Sequence, residues 1–274
     1  IFNYYFEIKN FDSMKQRIKA VFFDIDGTLV SFETHAVPQS TKDAIKRLRE
    51  CGIKVFVATG RMLAMTTVLS DIEFDGFITY NGSFCIDEHG EVIFKNTVPK
   101  RELEALAAWL ENEKIPVSFM CREEMFVNYL APVVKEVAEL VHVSYPVVKP
   151  VREIIKEDVF QLCVYANEAT LCRLLNEVLT DCEGSRWIDV FADVNMRGMN
   201  KSVGIDAILK HYGLELGESM AFGDGGNDIP MLRHVGIGVA MGNSNDEVKA
   251  AADYVTDTVD NDGVPKALRH FGLL

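Results

Sequence analysis

The sequence is short of basic residues: 28 Lys and Arg stand against 41 Asp and Glu, a formal net charge of −13. Such an excess of acid repels nucleic-acid backbones and anionic lipid, and argues against either as the main partner. A small anionic substrate stays open, because a metal and a few local cations override the global field. Cysteine is also sparse. Cys51, Cys85, Cys121, Cys163, Cys172 and Cys182 form no C-x-x-C or other ligand spacing, so they read as free thiols in a reduced cytoplasmic protein. The six histidines make no ligand pattern; only His35, in the loop after the first acidic pair, stands near a site. No apolar run reaches the roughly 18 residues that span a bilayer. No low-complexity linker or internal repeat is present. Residues Ile1 to Ser13 lack a basic n-region and a cleavage site, which makes a poor signal peptide. The folded unit is expected to begin near Met14, with residues 1–13 an extension that has no catalytic role.

What is present is apolar and patterned. Hydrophobic residues make up 48% of 274, enough for a full core in one large domain or two modest ones. Lys19 to Asp24, Ile53 to Ala58 and Gly76 to Tyr80 read as strands. Helices are expected between them, one with Ser40 as N-cap and one from Thr59-Gly60-Arg61 to about Ile72. That β-α-β-α-β pattern implies a Rossmann-like α/β fold with a doubly wound parallel sheet. The texture then changes to hairpins and antiparallel strands, an α+β insert placed at 83–188. The first texture returns near Ile188, so the core is expected to comprise 14–82 and 189–274.

The ends of the core strands carry polar groups that a packed interior would not select. Asp24 and Asp26 follow the first strand, two apart, and so face one side if the chain stays extended. Two carboxylates held together need a cation, a proton or a hydrogen-bond cage. Alone, such a pair also describes a plain acidic turn. Thr59-Gly60 follows the second strand and offers a hydroxyl and an unhindered N–H to a phosphate. Asp224 and Asp228, in Gly223-Asp224-Gly225-Gly226-Asn227-Asp228, add hard oxygen ligands of the kind Mg²⁺ prefers. Lys201 opens a helix, poorly placed for the helix dipole but well placed to offset the acids and hold a phosphate.

The order Asp-x-Asp-Gly-Thr, Thr-Gly-Arg, Lys, Gly-Asp-Gly-x-Asn-Asp resembles the haloacid dehalogenase superfamily, from Lys19 to Leu274. Only 35 positions separate Asp24 from Thr59, while 142 separate Thr59 from Lys201. That resembles the Cof-type, C2-capped branch, mostly Mg²⁺-dependent phosphatases of sugar phosphates and related metabolites. One departure is Lys201-Ser202, where the family often has Lys-Gly. The resemblance implies that Asp24 is the nucleophile and Asp26 the general acid and base. It implies Mg²⁺ held by Asp24, the main-chain carbonyl of Asp26, and Asp224, with Asp228 either at the metal through water or orienting Lys201. The N–H of Ile25, with Thr59, Gly60, Lys201 and Asn227, would cradle the phosphoryl group. The insert would be a lid that selects the substrate, with Arg122, Glu123, Glu124 and Asn128 among its polar residues. The motifs leave open a phosphomannomutase-like phosphosugar mutase and a phosphatase of another small phosphometabolite, such as a cofactor phosphate. A signalling receiver is disfavoured, because its nucleophile follows the third strand.

Overall fold

The computed structural model describes residues 18–140 and 143–274; the reading of residues 1–13 lies outside them. The described residues divide into two compact units. The first holds those up to Arg61, Thr66–Phe94 and Asn200–Leu274; the second holds Met62–Met65 and Lys95–Met199.

The first unit is built on an eight-stranded sheet. Its strands are β1 (Ala20–Phe23), β2 (Lys54–Ala58), β3 (Gly76–Thr79), β4 (Phe84–Asp87) and β5 (Val92–Lys95). After the second unit come β12 (Ser219–Gly223), β13 (Ile237–Ala240) and β14 (Tyr254–Val255). The order is β14-β13-β12-β1-β2-β3-β4-β5, parallel from β14 through β3. A central parallel strand is buried on both faces, which is why Ala20-Val21-Phe22-Phe23 is an unbroken apolar run. Val21 and Phe23 enter one core with Val55, Val57 and Phe222, while Ala20 and Phe22 enter the other with Phe56 and Ile208. Phe22 stacks on Phe56 and Phe23 on Phe222, each at 5.0 Å between ring centroids.

Three expectations are corrected in this unit. The hairpin at 84–95 belongs to this sheet rather than to the insert, because β4 pairs antiparallel with β3 and buries Phe84, Cys85 and Ile86. The compact second unit accordingly takes Lys95–Met199, with Met62–Met65, where the insert was expected over 83–188. No α-helix follows Thr59: two single 3₁₀ turns, Leu63–Met65 and Thr67–Leu69, stand there. The consecutive β-branched residues Thr66, Thr67 and Val68 restrict the rotamers a helix needs. Ser40 is not an N-cap either; its hydroxyl pairs with Asp262 while Pro38 opens the helix Gln39–Glu50.

The second unit has its own sheet: β6 (Val117–Cys121), β7 (Met125–Val127), β8 (Val147–Val148), β9 (Val159–Val164), β10 (Cys182–Ile188) and β11 (Phe191–Met196). The order is β10-β11-β9-β6-β7-β8. One face packs Val117, Phe119, Leu162 and Val194 against Leu103, Leu106, Leu171 and Leu174 of helices Lys100–Leu110 and Glu168–Glu177. Alternate residues put Ser118, Gln161, Cys163 and Asp193 on the other face. Asn128, one of the insert's polar residues singled out from sequence, uses its amide on the backbone of Ile115 and Val117. β10 and β11 form an antiparallel hairpin, turning between Ile188 and Phe191.

Burial pushes the Asp193 carboxyl up to about 7, against the hydrogen bond it accepts from Gln161 Nε2 at 2.8 Å. A carboxyl raised in the folded state holds its proton more tightly there, so stability falls as pH rises from the unfolded value toward the folded one. Asp193→Asn keeps the shape and cannot ionise. Its melting temperature relative to wild type should therefore climb between pH 5 and pH 8. A difference that stays flat over that range would show that Asp193 does not titrate this way.

Candidate active site

Parallel register assembles the site. Phe23 lies level with Phe222 on one side and Val57 on the other. The residues that follow, Asp24, Asp224 and Thr59, therefore emerge together at the carboxyl end of the sheet, where open α/β folds bind ligands. The Asp24 N–H donates to the Phe222 carbonyl at 3.0 Å, one step beyond the strand. The chain then folds back. The N–H groups of Thr28, Leu29 and Val30 converge on the carbonyl of Ile25 and fix that turn. Gly27 has φ +74°, and a Cβ there would lie 2.1 Å from Asp224 Oδ2, so the turn requires glycine.

Lys201 is the hub. It is fully buried at the start of helix Lys201–Tyr212, and its Nζ donates to Asp24 Oδ1 and to Asp228 Oδ1, each at 2.5 Å. Asn200 caps the helix by accepting from Ser202 N–H, so the lysine needs no favour from the dipole. The other oxygen of Asp228 accepts the N–H groups of Asp224 and Gly225 at 2.8 and 2.9 Å. Asp228, itself fully buried, thus orients both the lysine and the glycine loop.

The electrostatics favour a cation. Asp24, Asp224 and Asp228 each place a carboxylate oxygen within 4.8 Å of the others. Burial, then Asp228, pushes the Asp24 carboxyl well above its usual range, and Lys201 only partly opposes this. The same two causes raise Asp224 to about 7. Burial pulls the Lys201 ammonium down, but Asp228 and Asp24 outweigh it and hold it above its ordinary value. Three carboxylates against one ammonium leave two negative charges uncompensated when all are ionised. An all-oxygen donor set with that deficit fits a hard divalent cation.

The remaining predicted residues border this cluster. Thr59 is buried, and its Oγ1 accepts the Arg61 N–H at 3.1 Å. Gly60 lies against the Asn81 amide, 3.1 Å from where a Cβ would stand. Asn227 Nδ2 donates to Asn81 Oδ1 at 3.1 Å. The carboxylate of Asp26 stands outside the metal-type cluster and is gripped by Arg61: Nε donates to Oδ2 at 2.8 Å and Nη2 to Oδ1 at 2.6 Å. His35 has φ 54° and donates its N–H to Ser31, with no place in the cluster.

Three contributors were given no role from sequence: Arg61, Thr28 and Asn243. Thr28 Oγ1 reaches Asp224 Oδ1 at 3.4 Å. Asn243 Nδ2 donates to the Gly27 carbonyl at 2.8 Å and to Asp224 Oδ2 at 3.3 Å, tying β13's exit to the first turn. Asn81 sits in a run of positive φ, with Tyr80 at 50°, Asn81 at 53° and Gly82 at 104°. Such strain marks functional sites. A signal existed for Asn243: it follows the end of a parallel strand, as the other site residues do.

Comparison with known proteins identifies the family. The family profile of haloacid dehalogenase-like hydrolases matches residues 21–268. The solved structure of BT4131, an HAD subclass IIB sugar phosphatase, is similar with a TM-score of 0.82 and 43% identity, over 93% of this chain and 100% of its own. YkrA of Bacillus subtilis is 34% identical over 258 residues, covering 93% of this chain and 98% of its length. The 5-amino-6-(5-phospho-D-ribitylamino)uracil phosphatase YcsE of the same organism is 30% identical, covering 93% of this chain and 96% of its own. No helix among the described residues is long and apolar enough to cross a membrane. The chain belongs to the haloacid dehalogenase-like hydrolase family, in its Cof-type branch, and is a phosphoric monoester hydrolase.

Proposed function

We propose that the protein is a cytoplasmic, Mg²⁺-dependent phosphatase that hydrolyses sugar phosphates, hexose phosphates above all, through an aspartyl-phosphate on Asp24. The observation that carries this reading is the buried Lys201 joined to Asp24 and Asp228, with Asp224 in reach. Asp24 and Asp224, with the main-chain carbonyl of Asp26, would hold the metal, and Asp228 would orient Lys201 from behind. When bound, Mg²⁺ supplies charge neutralisation for the phosphoryl oxygens and the attacking carboxylate.

The chain's own residues do the rest. An Asp24 oxygen attacks phosphorus while the bond from phosphorus to the substrate oxygen breaks, and Asp26 gives its proton to that oxygen. Asp26, now a carboxylate, takes a proton from water as the water oxygen bonds to phosphorus and Asp24 is released. Lys201, Thr59, Asn227 and the N–H groups of Ile25 and Gly60 hold the phosphoryl oxygens. The second unit, with its own core, would choose the substrate and exclude water during the first step.

The sugar-phosphate preference rests on the likeness to BT4131. The likeness to YcsE supports a second reading, a phosphatase of a cofactor precursor. A panel of phosphorylated metabolites with inorganic phosphate as readout decides between them. Hexose phosphates should rank highest, and a chelator should stop the release. Preference for the ribitylamino-uracil phosphate selects the second reading, and full activity in chelator ends the metal assignment. Transfer between two hydroxyls of one sugar, with no phosphate freed, makes the protein a mutase.

A further inference from the structure

We propose that Arg61 is the positioning residue for the acid–base group Asp26. The inference rests on the phosphatase reading, in which Asp26 moves the protons. Arg61 grips both oxygens of Asp26, through Nε at 2.8 Å and Nη2 at 2.6 Å. The planar fork of a guanidinium fixes both oxygens of a carboxylate, whereas a point charge leaves the group free to turn. The arginine is itself anchored. Its N–H donates to Thr59 Oγ1 at 3.1 Å, and its carbonyl accepts the Tyr80 N–H at 3.2 Å. Its stem is thus rooted between the ends of β2 and β3.

Asp26 is rooted separately, in the turn where it bridges to Val30. The pair therefore ties the acid–base turn to the phosphate loop. Side-chain exposures of 27% for Arg61 and 40% for Asp26 place the pair at the open side of the cluster. Ion pairs this exposed add little to stability, so the value of this one lies in where it holds the carboxylate. A clamp with two donors also suits a group that alternates between acid and base. When one Asp26 oxygen carries the proton, the other still accepts from the guanidinium, so the side chain stays in place through both half-reactions.

The test uses leaving groups that differ in their need for a proton. An alkoxide leaving from a hexose phosphate must be protonated; p-nitrophenolate leaves without help. Single-turnover release of the alcohol at saturating enzyme isolates the first step, and its concentration dependence gives the affinity. Arg61→Ala should slow release from the hexose phosphate by about 10- to 100-fold, within the usual range of acid–base assistance. That loss should exceed the loss on p-nitrophenyl phosphate at least tenfold, with affinity for both esters changed by less than about threefold, the reach of a modest indirect effect. Arg61→Lys should recover part of the rate, because an ammonium still attracts one oxygen; it also reads the same ratio if the alanine variant does not fold. Equal losses on the two esters would make Arg61 a tether for the phosphate loop and overturn the proposal. A loss confined to affinity would make it a substrate contact, with the same consequence. Wild-type enzyme inactive on every ester would instead defeat the phosphatase reading itself.

Discussion

Asp24→Asn should lower turnover by more than about a thousandfold, the scale on which removal of a covalent nucleophile acts, while the protein stays folded. The substitution keeps the shape of the side chain and an oxygen that accepts from Lys201 Nζ. What disappears is the charge that attacks phosphorus. The folded state should not suffer. Burial and Asp228 already push the Asp24 carboxyl up, so ionising it costs the native structure. An amide at this position relieves that crowding, and the melting temperature without added metal should match or exceed wild type above neutral pH. Activity and stability are expected to move in opposite directions, as at other sites built from strained charges. The measurements are phosphate release, acid-quench trapping of a phosphoenzyme, and thermal melting. Retention of a few per cent of turnover, or phosphate trapped on another residue, would remove Asp24 from the nucleophile's role.

Lys201→Met should have the largest effect on stability. Methionine replaces the stem but not the ammonium, and it leaves Asp24 and Asp228 without their common partner. Both lysine and Asp228 are fully buried, so water cannot substitute. Breaking a buried ion pair from one side costs about 3–5 kcal/mol, because the charge left behind stays desolvated. The cost should be greatest near pH 8 and shrink toward pH 5. With the ammonium gone, Asp24, already pushed above its usual range, loses the partner that opposed the rise, and the folded state then regains stability as pH falls and a proton takes the place of the lysine. Denaturant midpoints at the two pH values, each with and without Mg²⁺, check this. Added Mg²⁺ should recover part of the loss. Hydrolysis should fall about 100- to 1,000-fold, as when one donor to a developing charge is removed. A loss below about 1 kcal/mol at pH 8, the range of exposed pairs, would show that the lysine is not the electrostatic keystone described above.

Much of this site was legible in the chain because it is local. Asp24-x-Asp26, Thr59-Gly60 and the loop Gly223 to Asp228 each follow an apolar strand, and alternation alone puts them at one end of a sheet. Lys201 was legible as an anomaly, a cation at the positive end of a helix. Partnerships across the fold were not legible in this way. Arg61 reads as the last letter of a phosphate-loop motif, yet its side chain serves Asp26, 35 residues earlier. Asn243 binds Gly27, 216 residues away. The hairpin at 84–95 has the pattern of an insert, because pattern states which face is apolar and not which sheet will cover it.

The sequence by itself determined the parallel core, the polar strand ends and the chemistry those residue types allow. All of these follow from side-chain periodicity and turn conformation over a few residues. Tertiary structure alone decided which carboxylates Lys201 holds, which one Arg61 clamps, that β4 and β5 complete the first sheet, and that no α-helix follows Thr59. Those outcomes depend on parallel register and close packing, which bring together groups that no short stretch of chain contains.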